Sequence, residues 1–209
     1  LKSICEPLLS SVLGDDRKLE LMEHIWPWSN LSDMRSKVAE RITYAEPDRG
    51  AKLIMDHWPD PHTVPDDELT LLIDVGGDAT VIAPYARDYI GRYASKGDWE
   101  SVGSALPRTR GLMPAEDEAH LLAAMARLML ASDREAVIEE GFSLLCQAAE
   151  GATRTGNMEL VGDLADAFNG LDDDRQPHSR RTLAASELDR LTDVLDESEI
   201  LREWRASKV

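Results

Sequence analysis

Imidazole and carboxylate groups crowd one short stretch of this chain. Asp56, His57, Asp60 and His62 fall within seven residues, a mixture of donors that suits a divalent cation. Pro59 and Pro61 stand between them, restricting how far these side chains can converge, and the donors follow no regular ligand spacing. The competing reading is a helix-end histidine with carboxylates in water. Asp117 and His120 lie three apart on an expected helix, the spacing of one half of a di-iron carboxylate site. No second acid-x-x-His pair completes it, because Glu20 and Glu23 precede His24 at the wrong spacing. Asp66-Asp67-Glu68 and Asp172-Asp173-Asp174 are acidic triplets of the kind that hold magnesium, without the downstream Asp such motifs need. They read as a helix first turn, where the dipole favours acids, and as a solvated turn.

The segment Leu69 to Asp78 ends an apolar run in Asp74-Val75-Gly76-Gly77-Asp78. It resembles the first strand and glycine turn of Rossmann methyltransferases, and is similar to the phosphate loop of actin-type sugar kinases. That resemblance implies a nucleotide or cofactor held by Asp74, Gly76, Gly77 and Asp78, with glycines admitting the ligand to the backbone and a helix N-terminus facing it. Asp78-Ala79-Thr80 stands where a third glycine would be, and no alternating strands follow. The alternative is a short helix ended by Gly76-Gly77, and no cofactor is expected. The chain has no Gly-x-Ser-x-Gly, no phosphate-binding Gly-x4-Gly-Lys, no His-Glu-x-x-His and no Cys-x-x-Cys.

These residues must be carried by helices. Leu21-Met22-Glu23-His24-Ile25-Trp26-Pro27 is echoed by Ile54-Met55-Asp56-His57-Trp58-Pro59, 33 residues on. Gly97-Asp98-Trp99-Glu100-Ser101-Val102-Gly103 is echoed by Gly156-Asn157-Met158-Glu159-Leu160-Val161-Gly162 at an offset of 59. A period of about 33 residues is the length of one helical hairpin in repeat proteins. The patterning predicts helices over Leu1–Leu13, from Asp15 or Asp16 to Trp26, from Asn30 or Ser32 to Ala45, and from Pro47 to Trp58. It continues from Asp66 to Val75, from near Ala83 (at Pro84) past Tyr93, from Trp99 to Leu106, and from Ala115 to Ala131. Behind a Ser132–Glu135 capping box comes a helix carrying Phe142 and Cys146. Asn157 caps the next, ended by Asn169-Gly170, and the last runs from about Ser179 to Trp204. The glycine-then-acid turns between them are those that join antiparallel helices. On these turns and echoes the chain resembles helical-repeat proteins of the tetratricopeptide and HEAT type. The resemblance implies an all-α fold of about ten to twelve helices in antiparallel hairpins, a short irregular solenoid or a two-block bundle. The proline-rich loop at 59–65 predicts a boundary between blocks at 1–58 and 66–209, with one continuous domain as the alternative.

Forty acidic residues against 23 basic give a formal charge of −17. Such a surface repels phosphate, making nucleic acid and anionic membranes poor partners and a basic protein or peptide a good one. No apolar run is long enough to span a membrane, no basic-apolar leader is present, and a cytoplasmic protein is expected. A chain that opens on Leu1 reads as a fragment of a longer protein. Cys5 and Cys146 lie 141 residues apart; Cys146, in an apolar helical run, reads as a small core residue, and the state of both thiols stays open.

Trp26, Trp28, Trp58 and Trp99 stand at expected helix ends, with Tyr85 and Tyr89 on a helix between. Each is a candidate interface anchor, the alternative being a seal between neighbouring helices. The sequence therefore points to a non-enzymatic interaction, scaffold or regulatory domain for a basic protein partner, self-assembly being a second mode. The competing class is an enzyme or small-molecule binder with a pocket near Asp56–Asp78. An enzyme would bring Asp56, His57, Asp74 or Asp78 together in a cleft.

Overall fold

The computed structural model describes residues 16–26, 32–171 and 177–206, with no strand among them. The expectations for Leu1–Leu13, Cys5, Trp28 and Asp172–Asp174 lie outside these residues. Ten α-helices follow in order: α1 Asp16–Ile25, α2 Ser32–Ala45, α3 Pro47–His57, α4 Asp66–Val75, α5 Ala79–Ala94, α6 Trp99–Thr109, α7 Ala115–Leu130, α8 Glu135–Thr155, α9 Met158–Leu171 and α10 His178–Ala206. A 3-10 turn, Pro61–Thr63, joins α3 to α4. The fold is all-α, as the hairpin pattern predicts. No helix among the described residues is long and apolar enough to cross a membrane.

Contacts gather into two compact units, Leu1–Met113 and Pro114–Val209. The proline-rich segment 59–65 belongs to the first. There α2 packs on α3 and α4, and α5 on α4 and α6. Trp26, Ile42, Ile54, Leu69, Leu72, Ile82, Ile90 and Val102 are among its buried apolar side chains, removed from water at about 25 cal/mol per Å2. In the second unit α7 lies along α8, and α10 packs on α9. Met129, Phe142, Leu145, Leu164 and Phe168 form its centre, with the two phenylalanine rings edge to face at 5.9 Å.

Local chemistry explains most helix ends. Asp78 caps α5 through Thr80 N–H at 2.8 Å, Asp98 caps α6 through Ser101 N–H at 3.2 Å, and Asn157 receives Leu160 N–H at 3.0 Å before α9. Pro47 opens α3, where its missing N–H costs nothing. Four expectations need correction. α5 starts at Ala79 rather than near Ala83, because the Asp78 cap sets the start and exposed Pro84 is absorbed inside the helix. α6 likewise runs through Pro107 to Thr109. Ser132 does not cap α8: its hydroxyl accepts Arg134 N–H at 3.2 Å in a turn, and the helix begins at Glu135 with no side-chain cap. Leu128, whose helical spacing with Leu121, Leu122, Met125 and Met129 predicts one apolar stripe, is 52% exposed on α7.

Candidate functional site

A polar network in the first unit fastens the proline loop to α5. Asp60 shapes the 3-10 turn, its carboxylate accepting His62 N–H at 3.1 Å and its carbonyl accepting the Thr63 hydroxyl at 2.7 Å. Arg92, in the last turn of α5, donates through Nε to Asp88 Oδ2 at 2.7 Å and through Nη2 to the Pro61 carbonyl at 2.9 Å. It also pairs with Asp66 in the first turn of α4. Burial opposes the Arg92 charge, but Asp66 and Asp88 outweigh it and raise its pKa above the ordinary value. Asp88 Oδ1 meets His62 Nδ1. The Asp88 side chain is 7% exposed, whereas that of His62 is 82% exposed. An open groove of about 690 Å3 runs beside this network, lined in part by Asp60, His62, Arg87, Asp88 and Arg92.

The residues singled out from sequence divide among separate tasks. His57 is packed edge-on against Trp26 and Trp58, with ring centroids 4.6 and 4.8 Å away. Asp56 is exposed on α3. Asp60 and His62 share the turn, but the carboxylate at the His62 ring is that of Asp88, 26 residues on. Among the described residues no three His, Cys, Asp or Glu side chains are grouped to hold a metal ion. Asp74 accepts Arg108 Nε at 3.1 Å, and Arg108 also donates to the Tyr89 hydroxyl at 2.8 Å, its guanidinium 5.8 Å from the centre of that ring. Leu69 to Val75 is helical, so the strand of the Rossmann-like pattern is absent. Gly76 and Gly77, at φ 74° and 151°, end α4 and hand the chain to the Asp78 cap. His120 and Glu116 both meet the Asn157 amide, at 3.1 and 2.9 Å.

The aromatic candidates are mostly packed. Trp26 is fully buried, and Tyr85 and Tyr89 nearly so. Tyr85 donates its hydroxyl to the Trp58 carbonyl at 2.8 Å, and burial, with the negative field of Asp60 and Asp56 added, pushes its phenol above the usual range. Trp58 is half-buried and donates its indole N–H to Glu68 at 2.7 Å. Trp99 is half-exposed at the start of α6. Sequence reasoning missed Asp88 and Arg92, and it placed Glu68 in an acidic first turn without its bond to Trp58. The Asp88–Arg92 spacing of four within a helix was a usable signal; their reach to the loop was not.

No family model matches the chain, and no curated protein matches it. Among solved structures it is similar to a de novo designed helical repeat protein, at 18% identity and a TM-score of 0.30, covering 90% of this chain and 80% of that one.

Proposed function

We propose that this chain is a non-enzymatic helical interaction domain that recognises a basic protein or peptide. One observation carries the reading: Asp56, His57, Asp74 and Asp78 do not meet in a cleft. One is solvated, one is packed between indoles, one holds Arg108 and one caps α5. A catalytic centre needs such groups converging on a reacting atom; a scaffold needs them out of the way. Charge supplies the partner class. On α10, Asp189, Asp193, Asp196 and Glu197 are all exposed, and their i, i+4, i+7, i+8 spacing puts them on one face. Together with the formal charge of −17, they favour and accelerate encounter with cations.

Panning a random peptide library against the folded chain tests this. Enrichment of lysine- and arginine-rich peptides, reduced when these four carboxylates are replaced by their amides, is the expected result. Enrichment without charge preference, or none, would remove the partner class.

A further inference from the structure

We propose that two copies of this chain pair through the outer face of α7, the two helices antiparallel about a two-fold axis. The inference stands apart from the basic-partner reading. From Ala119 to Ala131 the only polar residues are His120 and Arg127, so α7 is apolar around most of its circumference. A helix of that kind is suited to being covered on both sides. Its inner side packs on α8, close enough that a Cβ on Gly141 would lie 2.8 Å from Met129 Cβ and one on Gly151 3.1 Å from Ala119 Cβ. Its outer side is open. Leu128 is 52% exposed, Ala124 and Ala131 are exposed, and Leu121 is half-exposed.

The order of these four residues selects the occupant. Leu121, Ala124, Leu128 and Ala131 fall at i, i+3, i+7 and i+10, the seam spacing of a coiled coil, and large alternates with small along it. In a two-fold pairing residue i meets j and j meets i. Setting Leu128 against Ala124 of the second copy therefore also sets Leu121 against Ala131, so every leucine fills the space an alanine leaves. The same register brings Asp117, one turn before Leu121, beside Arg134, just past Ala131, and opposite charges meet at both ends of the seam. The chain's formal charge of −17 opposes self-association, yet Ala119 to Ala131 holds none of its acidic residues. At physiological salt the remaining repulsion is screened within about 8 Å. α7 is 16 residues long, about 24 Å, so the contact is small and belongs with weak, transient interfaces.

Sedimentation equilibrium of the full chain at physiological salt, from about 1 μM to about 1 mM, tests this. We expect monomer and dimer in equilibrium, with a Kd on the order of 100 μM. Leu128→Ala, checked by circular dichroism, should raise that Kd at least about tenfold, since it removes two central leucines. Adding Ala124→Leu to the same variant moves each leucine to the other side of its pair and should restore the dimer. Leu183→Ala, at a leucine 53% exposed on α10, should leave the Kd unchanged. A monomer at every concentration overturns the proposal. So does a dimer indifferent to Leu128→Ala, one weakened as much by Leu183→Ala, or one that the double variant does not restore.

Discussion

The indole nitrogen of Trp58 donates to the carboxylate of Glu68 at 2.7 Å, and Glu68 is completely buried. A buried carboxylate is tolerated only when hydrogen-bonded, so this contact ties the end of α3 to the first turn of α4 across the proline loop. Trp58→Phe keeps most of the ring packing and removes the donor. We expect a loss of about 1–3 kcal/mol, the cost of a hydrogen bond to a charged group in a buried setting. Urea unfolding measures it; a change under about 0.5 kcal/mol would show that the contact contributes little.

Gly50 sets the approach of α3 to α2. A Cβ there would lie 2.3 Å from Thr43 Oγ1 and 2.6 Å from Thr43 Cα. The second clash is with backbone, so a helix must move. Gly50→Ala should therefore destabilise by about 1–3 kcal/mol through overpacking, although alanine is the better helix former. Gly103, inside α6, has nothing within 4 Å of the same position. Gly103→Ala should stabilise by about 0.5–1 kcal/mol. Equal signs for the two in thermal unfolding would contradict this packing.

Cys146 sits half-buried in α8, and burial first, then Glu187, pushes its thiol up to about 11. Only the thiolate reacts. At pH 8 alkylation of Cys146 in a Cys5→Ser background should run roughly a hundredfold slower than that of a thiol of ordinary pKa, and reach the ordinary rate in denaturant. Rapid alkylation of the folded protein would count against the burial.

The caps of α5 and α6 predict an acid response. Hydrogen bonds from Thr80 lower the pKa of Asp78, and those from Ser101 lower that of Asp98, each below its ordinary 3.8. Depressed carboxylates add stability that is complete above the unfolded value and lost as pH falls through the folded one. Both should titrate below 3.8 in carboxyl NMR. The Asp78→Asn protein, whose amide can still accept from Thr80 N–H, should lose the Asp78 share of the acid sensitivity. Titration of Asp78 and Asp98 at or above the ordinary value would refute the caps.

Much of the helix framework was legible because its signals are local. Asp98 and Asn157 stand one residue before their helices, Pro47 opens α3, and Gly76-Gly77 closes α4. Pro84 and Pro107 misled because an interior proline costs one i→i−4 hydrogen bond and crowds the carbonyl four residues back without having to end the helix; both are exposed, and the helices started by an upstream aspartate run on through them. Ser132 misled because a capping-box pattern does not fix which residue first turns helical. The network around His62 was only half legible. The sequence put His62 beside Asp60, but the carboxylate that holds the ring comes from α5, brought there by how α5 packs on the loop. Such a contact has no local pattern to read.

The central claim is recognition of a basic partner through an acidic surface. Calorimetric titration of the full chain with a lysine- and arginine-rich helical peptide, repeated across salt concentrations, tests it most directly. Exposed charges are screened within about 10 Å at 0.1 M salt. Binding should therefore weaken steadily as salt rises, fall at least about tenfold when Asp189, Asp193, Asp196 and Glu197 are neutralised, and be absent for an acidic peptide of the same length. Affinity indifferent to salt, or equal for the acidic peptide, would contradict it.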